Sequence, residues 1–172
     1  MKILMLIDAL DFGGAETHLY SLCSMLVSKG HMVVVASAGG KTAKKLQRAG
    51  VIHRYLPRFN ISLLHSSTNA EHRRSAFKSI NKLVEIVAKE KPDIIHAHTR
   101  KTAFIADFVC QALKIPLVTT AHAKFSMNGY KGALSRWGEG TIAVSEDVAE
   151  HIYKRSLIKP KRIKIIRNGV FI

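Results

Sequence analysis

The stretch Lys2-Ile3-Leu4-Met5-Leu6-Ile7-Asp8-Ala9-Leu10-Asp11-Phe12-Gly13-Gly14-Ala15-Glu16 decides the fold. An apolar run over residues 3–7 empties into two adjacent glycines, and a helical pattern follows at once. Glycine lets the backbone approach a ligand with no Cβ in the way. The first N–H groups of a helix have no intrahelical partner and lie at its positive dipole end. The segment is therefore a device for holding an anion, a phosphate above all. Its spacing is not Gly-x-Gly-x-x-Gly, so the dinucleotide fingerprint does not apply.

Outward from this turn, short apolar runs alternate with helical periods. The runs at 2–7, 32–36, 51–56, 94–97, 117–120, 141–144 and 163–166 read as strands. A first helix carries Ala15, Leu19, Leu22, Cys23 and Leu26 on one face and closes at Gly30. A second spans roughly 42–49 and ends at Gly50. The third opens with Thr68-Asn69-Ala70-Glu71 at capping-box spacing, turns Phe77, Ile80, Val84 and Val87 toward the core, and is closed by Pro92. A fourth places Ala103, Ala106, Cys110 and Leu113 on one stripe and stops before Pro116. A fifth begins at Ser145, with Glu146 and Asp147 where the helix dipole favours carboxylates.

Strand–helix alternation with continuously apolar strands predicts an α/β fold: a doubly wound, mostly parallel, Rossmann-like sheet of about seven strands. In the order 3-2-1-4-5-6, ligands bind beyond the carboxyl ends of the strands, where the winding reverses between the first and the fourth. The loop over 8–14, the segment His98-Thr99-Arg100-Lys101 and the segment His122-Ala123-Lys124 then meet at one crevice.

The chain has 172 residues, 47% of them hydrophobic, enough for one well-buried core. Its net charge of +15 seeks acidic partners: a membrane surface, nucleic acid or phosphorylated substrates. Cys23 and Cys110 fall on apolar helical faces and read as buried hydrophobes in a reducing compartment, not as a disulfide. The apolar start imitates a signal peptide until Asp8 cuts it short, and no run approaches the roughly 20 apolar residues a membrane span needs. The expected location is the cytoplasm, either free or peripheral at the inner face of the cell membrane.

Five segments carry a family resemblance: Gly13-Gly14-Ala15-Glu16, Asp93-Ile94-Ile95-His96-Ala97-His98, Val118-Thr119-Thr120-Ala121-His122, Ile142-Ala143-Val144-Ser145 and Ile165-Ile166-Arg167-Asn168-Gly169-Val170. In this order and at these distances they resemble the N-terminal half of a GT-B glycosyltransferase of family 4, whose members are retaining enzymes that use nucleotide-sugar donors. The resemblance implies that residues 1–172 are one N-terminal Rossmann-like domain. The C-terminal nucleotide-sugar domain would follow Asn168-Gly169-Val170 and is absent, so this domain alone is expected to be inactive. Gly13 and Gly14 would offer N–H groups to the donor diphosphate, and His122 would be the catalytic contact to the transferred sugar. His98, Glu16 and Lys124 would line the acceptor or shape the site, although Glu16 serves equally well as a first-turn carboxylate. Ala123 stands where many relatives carry Asp or Gly. The implied partners are a nucleotide-sugar donor and a lipid-linked, lipopolysaccharide or other glycan acceptor, with no metal and no other cofactor.

Rival readings remain at this stage. His96 and His98 share a strand face with His122 nearby, which suggests a three-histidine zinc site. His96 points into the covered face, however, and no carboxylate partner is evident, so no metal is expected. Basic clusters lie over residues 154–167, at Lys41, Lys44, Lys45 and Arg48, and at His72-Arg73-Arg74 with Lys78 and Lys82. They suit an anionic membrane, with Phe59, Ile61, Leu63 and Leu64 beside Arg58 dipping into the interface. A basic nucleic-acid-binding module is the alternative from another class. Aromatics are only 7% of the chain and are not interleaved with the basic runs, so nucleic acid is not an expected partner. Another GT-B enzyme, such as a UDP-sugar epimerase, is the alternative within the architecture.

Overall fold

The computed structural model describes residues 1–58, 70–127, 132, 135–157 and 159–169. The elements run β1 (Lys2–Leu6), α1 (Gly14–Ser28), β2 (Met32–Ser37), α2 (Ala43–Arg48), β3 (Ile52–Tyr55), α3 (Ala70–Glu90), β4 (Ile94–Ala97), α4 (Arg100–Leu113), β5 (Leu117–Ala121), β6 (Gly140–Ala143), α5 (Glu146–Arg155) and β7 (Ile163–Ile165). Seven strands form one sheet in the order β3-β2-β1-β4-β5-β6-β7, and every neighbouring pair is parallel. The expected doubly wound sheet is thus the one observed, with β1 and β4 paired at the reversal through Ile3 with Ile94 and Leu6 with Ala97.

Alternation along the strands divides the core between two faces. Leu4, Leu6, Val34, Ile95 and Ala97 pack with Leu83 and Val87 of α3 and Ile105 and Val109 of α4. Ile3, Met5, Ile7, Val33 and Val35 pack with Leu19 and Cys23 of α1 and Leu46 of α2. A third cluster, built on Trp137, Val148 and Ile152, holds α5 against the sheet beside β6. Both cysteines are buried and unpaired, and burial pushes each thiol up to about 12.

Two sequence expectations need correction. Phe77 and Val84 do not face the core: they are 63% and 41% exposed. The buried stripe of α3 is instead Ala76, Leu83, Ile86 and Val87, with Ile80 partly buried against it. Small residues explain the rotation. Ala76 and Ser79 let the helix come close, and the buried Ser79 hydroxyl donates to the carbonyls of Pro57 and Ser75 at 3.0 and 3.1 Å. Leu113 is likewise exposed, because the last residue of α4 overruns the sheet before Lys114 turns the chain in a left-handed conformation. Thr68 and Asn69, the side chain of Glu71, and Phe59, Ile61, Leu63 and Leu64 lie outside the described residues.

At the amino end of the sheet, Glu90 is only 5% exposed yet charged. It accepts from Arg54 Nε of β3 at 2.7 Å and pairs with Lys2 of β1 at 3.4 Å. Burial by itself would raise this carboxyl; the Arg54 hydrogen bond and charge, with Lys2, hold it below the usual carboxylate range. Its contribution is therefore present above the unfolded value and lost as pH falls through the folded one. Glu90→Gln should cost about 1–3 kcal/mol near neutral pH, since it strands two partly solvated cations. In thermal unfolding, the gap between wild type and variant should narrow as pH drops below about 4.

Candidate functional site

The carboxyl ends of β1, β4 and β5 bring together the segments singled out above. The β1–α1 loop is clamped from the β2–α2 side: Leu10 N–H donates to Gly39 O at 2.8 Å, and Thr42 donates to Leu10 O through both its amide and its hydroxyl. Gly40 makes this approach possible. Its φ is +143°, and a Cβ there would meet the Leu10 carbonyl carbon at 2.5 Å. From the other side, Asp8 at the end of β1 accepts from Thr99 Oγ1 at 2.9 Å and pairs with Lys101 at 3.1 Å, which ties the two loops of the reversal together.

Gly13 is the N-cap of α1, in extended backbone and with no side chain to cap the helix. The first turn closes with Thr17 N–H donating to Gly13 O at 3.0 Å, which leaves the amides ahead of it without intrahelical partners. Gly14 is exposed, and a Cβ built there would meet nothing within 4 Å. Glu16 folds back so that its Oε2 occupies the space a Gly13 side chain would need. The carboxylate thus stands beside the first turn of α1, where the helix dipole favours it.

Beside it lies a cluster of four imidazoles. His98 Nδ1 and His122 Nε2 share a hydrogen bond at 3.3 Å, their rings near-parallel with centroids 5.5 Å apart. The His96 ring lies 4.2 Å from that of His98, and its Nε2 is 2.7 Å from Thr120 Oγ1. His18 reaches in from α1, 5.1 Å from the His122 ring and 5.9 Å from His98. His98 is 2% exposed. Its Nε2, together with His122 Nδ1, is buried without a hydrogen-bond partner. Such orphaned polar atoms are uncommon in native proteins.

Burial keeps these rings neutral. It drives His96 down to about 3, helped by His18 and His122, and His122 down to about 4, helped by His18. His98 falls well below its ordinary value for the same reason, with the charges of the other three adding, and His18 is lowered by burial. Among the described residues, no group of three or more His, Cys, Asp or Glu is arranged to hold a metal ion.

Gly13, Gly14 and Glu16 start α1, His98 and His122 follow β4 and β5, and His18 of α1 is the residue that brings α1 within reach of the two imidazoles. Lys124 stands on the surface, where it pairs with Asp147 of α5 at 2.8 Å. His18 and Asp8 escaped sequence reasoning. One signal existed for His18: it falls one helical turn after Gly14, on the side of α1 that the glycines open. For Asp8 the signal was its place at the last step of β1.

A parallel sheet whose winding reverses between β1 and β4 defines a Rossmann-like α/β protein. Similarity to known proteins narrows this. The family model for Glycosyltransferase Family 4 matches residues 12–171, and the chain belongs to that family. It is 24% identical over 172 residues to a subunit of human phosphatidylinositol N-acetylglucosaminyltransferase, covering 93% of this chain and 34% of the relative. It is 26% identical to the gpi3 subunit of the enzyme of the same name in Schizosaccharomyces pombe, covering 92% and 36%. The chain therefore spans about a third of the length of these curated relatives. The Anabaena protein HepE, solved in complex with UDP, superposes with a TM-score of 0.74 at 20% identity, over 99% of this chain and 44% of that one. The fold is that of GT-B glycosyltransferases.

The neutral cluster predicts a pH response. A histidine depressed in the folded state costs stability as pH falls from its unfolded value of about 6.5 toward the folded one. Unfolding free energy should therefore drop across that window. Imidazole NMR should find His122 unprotonated down to about 4. A His122 titrating in the ordinary range would show that the cluster opens to water.

Proposed function

We infer that the chain is the N-terminal, acceptor-side domain of a retaining glycosyltransferase that moves a sugar from a nucleotide-diphosphate-sugar to a lipid-linked or other glycan acceptor. A second Rossmann-like domain would hold the nucleotide, and the present domain alone would not turn over. One observation carries this reading: α1, which starts at Gly13 without a side-chain cap, brings His18 within 5.1 Å of His122, and His98 and His122 each keep a buried nitrogen without a partner.

In this reading the N–H groups at Gly13 and Gly14 receive the donor diphosphate, and Glu16 swings away from it. As the bond from the anomeric carbon to the diphosphate oxygen breaks, negative charge grows on the leaving group. Amides already aimed there need no reorganisation. His122, neutral and held through Nε2, meets a hydroxyl of the transferred sugar with Nδ1 once its ring turns out of the buried position. His98 shapes the site by fixing that ring, and the His96–Thr120 pair packs beneath it. Lys124, once released from Asp147, borders the acceptor side. No metal or organic cofactor enters this mechanism.

The human relative is named for phosphatidylinositol and as one subunit of its enzyme, which favours a phospholipid-borne acceptor and a multi-subunit assembly here as well. The net charge of +15 agrees with work at an anionic cytoplasmic membrane face. Among the described residues no helix is long and apolar enough to cross a membrane. Membership of family 4 argues against both the epimerase and the nucleic-acid-binding alternatives.

Two measurements test the assignment. In the two-domain enzyme, His122→Ala should lower kcat about a hundredfold or more with a smaller change in donor KM. Unchanged turnover removes this residue from the site. In the 172-residue chain, pyrophosphate should shift the amide resonances of Gly13, Gly14 and Ala15 with a Kd of roughly millimolar size. Amides that stay put under saturating pyrophosphate would sink the diphosphate role.

A further inference from the structure

Away from the crevice, one surface joins exposed aromatic rings to three cations and a single acid, Glu85. Tyr55 closes β3, the strand at one edge of the sheet, and is 59% exposed; Phe77 projects from the outer face of α3. Together with Arg74, Lys78 and Lys82 they line an open groove of about 710 Å3. The three cations recur at four-residue spacing, so they form a row along one side of the helix. Among the described residues Arg74 and Lys78 have no acidic partner, while Lys82 holds Glu85 at 2.6 Å.

Other basic clusters are in part neutralised. Lys154, Lys161 and Arg167 are paired with Glu150, Glu139 and Glu146. Lys41 and Lys45 lie over the rings of Phe12 and Tyr20. Near β7 the exposed Tyr153 and Ile165 also stand beside a lysine, but Glu146 and Glu150 line the same surface, whereas the α3 groove holds three cations and one acid. Long basic side chains whose heads reach outward beside rings at the same level suit the boundary between phospholipid headgroups and acyl chains.

The groove also has a fixed relation to the crevice. The chain leaving β3 is clamped to α3 through Ser79 and Pro57, and the next residue, Arg58, pairs with Asp11 of the β1–α1 loop at 2.9 Å. Aromatic groove and glycine turn therefore stand at the same, carboxyl, end of the sheet.

We propose that this face of α3 and the end of β3 seat the protein on an anionic phospholipid bilayer. Phe77 and Tyr55 enter the interface, and Arg74, Lys78 and Lys82 lie against the lipid phosphates. The seat would hold a membrane-borne acceptor beside Gly13 and Gly14. It rests on the membrane-acceptor reading above, but it assigns the contact to a particular surface.

Co-sedimentation of the full chain with vesicles tests it. Phosphatidylcholine alone should bind weakly; phosphatidylcholine with about one third phosphatidylserine should bind well, and less so as salt is raised. Replacing Arg74, Lys78 and Lys82 together by Gln should weaken the partition about fivefold per charge removed. Tyr55→Ser with Phe77→Ser should weaken it roughly tenfold. Thermal unfolding would confirm that these surface variants fold. A matched triple, Lys154→Gln, Lys161→Gln and Lys164→Gln near β7, should lose distinctly less. If wild type binds and the α3 variants bind equally, or the β7 triple loses as much, the surface assignment falls while the membrane reading stands. If wild type binds neither vesicle, both fall.

Discussion

Reversal of the winding direction between β1 and β4 is the constraint on which the rest of the structure depends. Helices on either side of that point leave toward opposite faces of the sheet, so no crossover can cover the gap above the two strands. The chain stabilises the exposed junction with polar groups. Asp8 takes a hydroxyl hydrogen bond from Thr99 and an ion pair from Lys101, joining loops separated by most of the domain. Thr102 adds a bond to the Leu6 carbonyl at 3.3 Å. These contacts make the gap a fixed crevice.

Helix starts at this end of the sheet are treated unequally. Thr99 caps α4 in a reciprocal capping box with Thr102, and Ser145 caps α5 by accepting from Val148 N–H. A Thr, Ser or Asp at position 13 would do the same for α1, at a gain of about 1 kcal/mol. Gly13 forgoes it, and α1 starts with no side-chain cap, only the Glu16 carboxylate folded back beside it. Neutral rings are the right neighbours for such a site. Four protonated histidines within about one ring diameter of each other would repel one another and add charge to a protein already at +15. Burial prevents this.

Much of this was legible in the residues. Apolar runs located all seven strands to within a residue or two, most plainly β1 and β2, whose burial on both faces leaves no polar alternation to confuse the reading. His98 and His122 could be placed together because each sits just past the end of a neighbouring strand, which fixes its height in the sheet. Contacts that depend on helix rotation were not legible. Phe77 and Val84 share a stripe seven residues apart, as do Ala76 and Leu83 one position earlier, and periodicity weighs both stripes alike. Only the fit of Ser79 against Pro57 decides between them. His18 was missed for a similar reason, since a single polar residue on an amphipathic helix reads as solvated until the strands beside it are known.

That rotation of α3 has a consequence for the charge of the whole molecule. Had Phe77 and Val84 turned inward, the outward face would have been the ordinary solvated side of an amphipathic helix, and its lysines would need no explanation. With the small residues buried instead, aromatic and aliphatic surface is left outside among cations that have few acids to neutralise them. Folding gains close packing between α3 and the sheet, through Ala76 and Ser79, and gives up the burial of a phenyl ring, a loss of about 2 kcal/mol. The clamp of Ser79 on Pro57 then carries the chain into Arg58 and its bond to Asp11, so the packing choice that exposes Phe77 also positions the loop that holds Gly13.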